Sequence, residues 1–563
     1  MSGTFRLAAL ITLGLTLIAC GTESTPETSP FGTSEADQTN ENAASFDNSS
    51  VDGQGRADAT EMNFDCTVSQ PFPYPDGVPY VGVHAGPGNN DWLPCTTADQ
   101  FESSWHGLKG FAIAQPNTFS PDGAVTYVTT SQPQPGDCNV HAIEIETGAT
   151  TWCRALDTNT LWSAVEVDLD GNLFVTTGQS LRSLNAAGED RWTTAIPLSP
   201  EGVVVGAIGL HFTPDGHIAT ITDAGTVLLL NRANGDILDT LHIPDAFGFV
   251  NPEQPALQID VTEVLPEVVI SDFQSLEHGD PSVFLNSFAG VGNFSDNTIS
   301  VAPNGDLYVI GGGPTPTEGA VAQLRVDGTP DAPTLSAGWS VTMNGGSATS
   351  PAVSPDGAHL KFCDGNNSIT VLSPETANAH SRVVDIEACN TNTDSDPDPA
   401  LCGDIYATPL LTGPAFGTTP MLDDGVHYIY ELQIADLLNT EASDVRAVRG
   451  DEVLWETLLP DDLQWTSVIT ATESHLIGTG TRFTDSGEAL ASLELPGSAS
   501  SELLVLDRAT GALVFRAPVT DDSASTVTVG PDGSLYVTML GLLHMLSLDT
   551  RPVGGLMRFT PSR

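Results

Sequence analysis

A short turn phrase recurs along the whole chain and constrains its fold more than any other feature. Each copy places Asp-Gly or Asn-Gly just before a run rich in β-forming residues. These dipeptides supply the positive φ that a tight hairpin needs, so each copy marks two antiparallel strands. Repeats at this spacing predict a modular all-β architecture. The copies are Asp122-Gly123, Asp170-Gly171, Asp215-Gly216, Asn304-Gly305, Asp356-Gly357 and Asp532-Gly533.

A second phrase follows the first in several copies. It ends a strand with an acidic residue or Asn, turns through Thr-Gly or a similar pair, and returns with an aromatic side chain. That aromatic side chain can pack between neighbouring sheets. One copy runs from Ala142 through Glu144, Thr147 and Gly148 to Trp152. Another copy contains Asp507, Thr510, Gly511 and Phe515.

These copies follow the pattern A-x-D-x-x-T-G-x-x-x-W, which resembles the tryptophan-docking repeat of the pyrroloquinoline-quinone-like β-propellers. That family includes quinoprotein alcohol dehydrogenases and the propeller lipoprotein of the outer-membrane protein assembly machine. Here Glu144 takes the Asp position of the pattern, and Phe515 takes the Trp position. The resemblance implies a single propeller of four-stranded antiparallel blades, for which we predict eight blades, with seven as the alternative.

The phrases also give approximate blade boundaries. The runs within 525–549 begin an eighth blade, which needs a partner strand from residues 75–112 or from the far C-terminus to close the ring. Residues 245–295 and 388–403 lack the paired phrases and are predicted to be insertions. The other seven blades are predicted near 111–155, 165–197, 207–244, 296–344, 349–387, 404–459 and 466–519.

The beginning of the chain has the pattern of a targeting segment. A basic residue precedes an apolar run over 7–18, which is too short to span a bilayer well. The run leads to Cys20, in a context that resembles the bacterial lipobox, where the cysteine is diacylated and becomes the mature N-terminus. We predict a signal peptide over 1–19; an ordinary cleaved signal with a chance cysteine is the alternative. By resemblance to proteobacterial sorting, Gly21 favours the outer membrane.

The segment after the lipobox is polar. Residues 20–63 are rich in Ser, Thr, Asn, Glu, Asp and Gly and contain few large apolar side chains. Such a segment cannot bury enough surface to offset its chain entropy, so we predict a disordered tether. The folded body is then 64–563, anchored to the membrane stably because the cysteine carries two acyl chains.

The charge balance limits the classes of partner. The formal net charge is −54, from 18 basic and 72 acidic residues. A chain this acidic has no basic patch to neutralise phosphates, so nucleic acid is excluded as a partner. Anionic membrane faces repel it, which leaves the lipid anchor as its membrane contact. We interpret the charge as adaptation to salty water rather than as cation collection, and we expect a monomer.

Seven cysteines remain besides Cys20. An exported chain lies in a compartment that permits disulfides. The spacing suggests three pairs and leaves Cys363 free, although connectivity cannot be derived from sequence alone. The suggested pairs are Cys66–Cys95, Cys138–Cys153 and Cys389–Cys402.

We predict no catalytic residues. Quinoprotein dehydrogenases bind a quinone and calcium in the ring centre, many of them against a disulfide of adjacent cysteines, which this chain lacks; pyrroloquinoline quinone is therefore not expected. No esterase elbow, Walker A loop or His-Glu-x-x-His is present. His84 precedes a glycine-rich stretch that we interpret as a structural turn. Calcium stays a candidate ligand at an acidic loop, for which a solvated loop is the alternative; its carboxylates are Asp394, Asp396 and Asp398.

The sequence thus favours a binding or scaffold module over an enzyme. Propellers present loops on a rigid ring, and recognition is the usual use of such loops. The expected partner is an envelope protein, a glycan or a small ligand. The alternative function is a periplasmic quinoprotein-type oxidoreductase, or another enzyme with its site in the ring centre.

Overall fold

The strands of this protein form eight small sheets that are arranged as blades around a ring. The eight-bladed propeller predicted from the turn phrases is therefore confirmed. The computed structural model describes residues 66–562 apart from 135, 157–162, 201, 203–204, 251–269, 272–273, 275–293, 296–297, 317, 345–349, 364–368, 375–424, 431–443, 450–451, 485–496 and 548–549. The predicted signal peptide, Cys20 and the tether lie outside this range.

Blades 1 to 4 each consist of four antiparallel strands in sequence order. In blades 1 and 2 the first strand is short and buried and the last is the most exposed, so the first strand lies nearest the ring centre. The strands of blades 1 and 2 are Thr118–Phe119, Val125–Thr129, Val140–Glu144 and Thr150–Arg154, then Glu166–Val167, Leu173–Thr176, Ser180–Leu184 and Asp190–Ala195. Those of blades 3 and 4 are Ala207–Phe212, Ile218–Thr222, Thr226–Leu230 and Ile237–His242, then Ser300–Val301, Leu307–Gly312, Glu318–Thr329 and Ala332–Asn344.

Blades 5 and 6 contribute three strands each to the described part of the chain. They are Ala352–Val353, Leu360–Cys363 and Ile369–Leu372, then His427–Tyr430, Asp444–Arg449 and Glu452–Leu458. Blade 7 is built from Gln464–Trp465, Thr470–Thr472, His475–Thr484, Ser498–Asp507 and Leu513–Val519. Its strand Thr470–Thr472 also pairs in parallel with Trp92–Leu93 from the beginning of the described chain.

Blade 8 closes the ring with strands from distant parts of the sequence. Its inner strands are Thr528–Val529 and Leu535–Met539, and its third strand is Gly555–Pro561. The outer strand Phe101–Gly107 pairs with this third strand, from Phe101 opposite Pro561 to Gly107 opposite Leu556. Both predicted sources of the closing strand are therefore used, because each supplies one strand.

Tryptophans in the outer strands dock onto the next blade. Trp152 of blade 1 donates its Nε1–H to the carbonyl of Ala186 in blade 2, at 3.0 Å. Its ring lies over Gly188, where a Cβ would approach the indole to 2.8 Å, so only glycine fits. The glycine turn of the second phrase therefore receives the aromatic side chain of the preceding blade. The same inter-blade bond is made by Trp105, Trp192, Trp339 and Trp455.

The two hairpin turns of a blade lie on the same side of the ring. In blade 1 the Gly123 and Gly148 turns are neighbours, since the N–H of Ile145 donates to the carbonyl of Ala124 at 3.0 Å. The Gly123 turn also packs against Pro531 in the corresponding turn of blade 8. We call this side the hairpin face. The opposite side, the loop face, carries the links between the second and third strands of each blade and between successive blades.

The insertion predicted over 245–295 leaves and rejoins the ring on the loop face. The N–H of Val250 donates to the carbonyl of Gly313 at 2.9 Å, and that of Phe294 donates to Asp223 at 2.6 Å. Both acceptors lie between the second and third strands of their blades.

Two short helices, Ile243–Phe247 and Leu542–Leu546, also lie in loop-face connections. Within the described ranges, neither these helices nor any other is long and apolar enough to cross a bilayer.

Two of the three suggested disulfides are present, Cys66–Cys95 and Cys138–Cys153. Cys363 ends a strand of blade 5. Several predictions fall outside the described residues: the Cys389–Cys402 pair, the insertion over 388–403, and the calcium candidates Asp394, Asp396 and Asp398.

Candidate functional site

Residues 74–93, here called the central segment, run through the middle of the ring. The inner strand of each blade faces this space. The N–H groups that it directs toward the ring axis are buried and therefore need acceptors. Carbonyls of the central segment are those acceptors in five blades. The bonds run from Phe119 to Tyr80 (3.3 Å), Val167 to Val81 (3.1 Å), Val301 to Pro87 (2.7 Å), Val353 to Gly88 (2.7 Å) and Ala471 to Asp91 (3.0 Å).

The order of these bonds shows the path of the segment around the ring centre. Successive carbonyls of the segment meet blades 1, 2, 4, 5 and 7, so the chain winds around the inside of the ring in the same direction as the blades. Tyr80, Val81, Asn89 and Asp91 are all fully buried. The central segment therefore fills the ring centre at this level.

Local sequence explains why the segment takes an irregular path. Asn89 and Asp91 have φ values of 53° and 44°, in the left-handed region that Asn and Asp tolerate better than most residues. The Gln70 amide donates to the carbonyls of Val78 (2.9 Å) and Ala85 (3.1 Å) and so folds the segment back on itself. The Cys66–Cys95 disulfide joins the chain just before the segment to the chain just after it.

A buried polar network joins the central segment to blades 2 and 3. Glu166, on the inner strand of blade 2, pairs through Oε1 with Nδ1 of His211 in blade 3, at 3.0 Å. The other ring nitrogen of His211 lies 2.7 Å from Oδ1 of Asn89. The Tyr74 hydroxyl accepts the Phe212 N–H at 3.0 Å and lies 3.3 Å from His211 Nδ1.

The amide of Asn89 fixes where the protons lie in this network. Its nitrogen faces the carbonyls of Thr298, Ile299 and Pro351, so its oxygen faces His211. His211 must then carry a proton on Nε2, because an amide oxygen can only accept. Nδ1 of His211 then faces Oε1 of Glu166 at 3.0 Å and the Tyr74 hydroxyl at 3.3 Å.

Burial dominates the acid–base properties of the ring centre. It raises the pKa of the Glu166 carboxyl above its usual value, and the nearby His211 opposes this rise. It raises the pKa of Tyr74 well above the ordinary value, and the charge of Glu166 adds to that effect. A neutral Tyr74 hydroxyl can therefore act as a fixed hydrogen-bond donor at any physiological pH.

A second buried pair lies inside the central segment itself. His84 and Asp91 approach to 2.6 Å between Nδ1 and Oδ2. Tyr80 bonds Thr470 of blade 7 at 2.9 Å, and burial, aided by Asp91, raises its pKa well above the ordinary value. The glycine-rich stretch after His84 is thus part of the central segment, and His84 itself takes part in its internal packing.

The repeat residues singled out from the sequence do not lie in the ring centre. The repeat residues occupy turns or adjoining strands that pack the blades together at the hairpin face: Asp122, Gly123, Asp170, Gly171, Asp215, Gly216, Asn304, Gly305, Asp356, Gly357, Asp532, Gly533, Thr147, Gly148, Trp152, Asp507, Thr510 and Gly511. Sequence reasoning missed the ring-centre residues. The available signal was Glu166, a single carboxylate between Val165 and Val167 in a strand-like run.

The ring centre does not fit the cofactors that the dehydrogenase resemblance implies. A quinone there would need the space that Tyr80 to Asp91 fill. Glu166 lies against His211 at 3.0 Å inside this filled space. In the described part of the chain, no three His, Cys, Asp or Glu side chains are grouped to hold a metal ion.

Comparisons with known proteins agree with the fold. No family model matches the chain, and no curated protein is similar in sequence. A europium-containing methanol dehydrogenase superposes with a TM-score of 0.52 at 13% identity, covering 85% of this chain and 98% of the other.

Two quinohemoprotein alcohol dehydrogenases give similar results. The enzyme from Pseudomonas putida HK5 has a TM-score of 0.51 at 14% identity, covering 86% of this chain and 80% of the other. The enzyme from Comamonas testosteroni has a TM-score of 0.51 at 10% identity, with 86% and 81% covered. At such identities the likeness establishes the fold alone, which is the propeller of these quinoproteins.

Proposed function

We propose that this chain is a lipid-anchored envelope protein whose propeller binds another envelope protein through its loop face. The observation that carries the proposal is the filled ring centre. The central segment takes the place where propeller enzymes can hold a substrate, and its main-chain carbonyls are bonded to the inner strands of five blades. Recognition is then left to the loops, the part of a rigid ring best suited to it.

The loop face differs from the hairpin face in a way that supports this assignment. The hairpin face is made of short, similar turns that pack against one another, as Gly171 packs on Pro121 and Gly357 on Pro303. The loop face carries connections of unequal length, including the one that leaves at Val250. Diverse connections on a regular scaffold are typical of a binding surface.

Site-specific photo-crosslinking in the native envelope tests which face binds. A benzophenone amino acid at the exposed loop-face positions Gln134 and Leu198 should give the same protein adduct. The matched hairpin-face positions Asp215 and Asp356 are also exposed and should give none. An adduct from the hairpin face alone would contradict the assignment. An adduct resistant to protease but sensitive to periodate would show that the partner is a glycan and not a protein.

The lipid anchor makes a separate prediction. Cys20→Ser should abolish incorporation of radiolabelled palmitate and move the protein from the membrane to the soluble fraction, because two acyl chains provide stable anchoring. Cys363→Ser is the matched control and should keep both label and membrane association. Equal labelling of the two variants would show that Cys20 is not the lipidated residue.

A further inference from the structure

The contacts of the central segment are those of a bound peptide. It forms no blade of its own, and its one ladder pairing is the two-residue parallel strand Trp92–Leu93 against blade 7. Its other main-chain bonds to the inner strands are single bonds to successive blades. We propose that the ring centre is a binding site for an extended peptide, which the chain fills with its own residues 66–95. This site is separate from the loop face, and its test below does not depend on the outcome of the crosslinking experiment.

Main-chain recognition provides the general affinity of this site. The inner strands present N–H groups toward the axis at five points, and each donates to a carbonyl of the segment between Tyr80 and Asp91. Bonds of this kind, made to an exposed strand edge, are how many domains hold an extended peptide without reading its side chains. The inner edges of the blades are such edges.

Asn89 provides the specificity. Its amide nitrogen lies 3.3 Å from each of three carbonyls: Thr298 and Ile299 before the inner strand of blade 4, and Pro351 before that of blade 5. Its oxygen faces His211 of blade 3 at 2.7 Å. One side chain therefore contacts three blades, and its loss would leave buried polar groups without partners.

The neighbouring Asn90 offers a contrast. Its amide nitrogen makes a single bond to Val353 at 3.3 Å, and its oxygen accepts the N–H of Trp92, which belongs to the same segment. Asn90 is also less buried than Asn89. The two side chains are chemically identical, so they form a matched pair for testing.

Shape provides a second level of selection. A methyl group on Gly82 would overlap the Glu166 carboxylate, and one on Gly88 would lie 3.0 Å from the carbonyl of Val353. The site therefore takes a peptide with glycine at both positions, where the backbone approaches the blades closely.

The segment is joined to the ring at one exposed link. Asp99 and Gln100 are exposed, and the closing strand begins at Phe101. The Cys66–Cys95 disulfide lies wholly on the segment side of this link, so it ties the peptide to itself and not to any blade. Cutting the link would leave a disulfide-closed peptide held only by non-covalent contacts.

The test is to nick the full chain and exchange the peptide. A protease site inserted between Asp99 and Gln100 is cleaved in the folded, oxidised protein. The fragment should co-elute with the ring in size-exclusion chromatography. A fluorescent synthetic peptide of residues 66–99, closed by its disulfide, should then replace it. Loss of the fragment from a ring that stays folded, or failure of the peptide to exchange, would overturn the proposal.

The matched peptides test whether the observed contacts are the ones that matter. We expect Asn89→Ala to weaken binding of the synthetic peptide about 100-fold, because several buried partners lose their bonds. Asn90→Ala should weaken it by less than about tenfold. Equal affinities for the two variant peptides would show that binding does not use the ring-centre geometry, and would contradict the assignment.

Discussion

Gly82→Ala should destabilise the protein by about 3 kcal/mol, whereas Gly86→Ala should change its stability by less than about 0.5 kcal/mol. An added methyl group on Gly82 would occupy the space of the Glu166 carboxylate. It would push that carboxylate away from His211, its buried partner at 3.0 Å. At Gly86 the same methyl would meet only Gln70 at an ordinary 3.5 Å. Neither glycine has a positive φ, so backbone strain does not confuse the comparison.

Urea denaturation of the two variants measures this difference, and a double mutant identifies its cause. If the clash with Glu166 is responsible, Gly82→Ala should cost little once Glu166→Ala has made room for the methyl group. The two substitutions should therefore be non-additive by at least about 1 kcal/mol. Equal losses in Gly82→Ala and Gly86→Ala, or strict additivity in the double mutant, would be inconsistent with this account.

Lowering the salt concentration should destabilise the fold strongly. A net charge of −54 repels itself in the compact state, and the Debye length grows from about 3 Å at 1 M salt to about 30 Å at 0.01 M. We expect the melting temperature to fall by roughly 10 °C or more between these concentrations. Scanning calorimetry across a KCl series measures it.

The basic residues have little capacity to offset this repulsion. Arg154 is bonded to the Gly188 carbonyl and to Asp190, and Arg558 to the Ile145 carbonyl and Asp532. These two arginines already bond to groups within and between blades. Sucrose at matched osmolality is the control, since it favours compact states without screening charge. If sucrose raises the melting temperature as much as KCl does at the same osmolality, charge repulsion is excluded as the cause.

The ring was predictable because its signals are local. The Asn304-Gly305 turn and the alternating run that follows it lie within ten residues, and hairpin geometry depends on little else. The docking of Trp152 over Gly188 also follows from a repeated spacing. Repetition of these two signals along the chain predicts the eight sheets of the ring.

The ring centre was not predictable for the opposite reason. Tyr80 meets Thr470 across 390 residues of sequence, and Asn89 meets Pro351 across 262. No periodicity marks these contacts, because the central segment is neither helix nor regular strand. Glu166 is one of many acidic residues in the chain, and only the register of its strand shows that it points inward.

Blade 8 has a consequence for when this molecule can fold. Its outer strand, Phe101–Gly107, finds its partner only in Gly555–Pro561, more than four hundred residues later. A growing chain can therefore assemble blades one by one, yet it remains an open arc with two unpaired edges. The ring can close only when nearly all of the chain is available, and its closure also encloses the central segment.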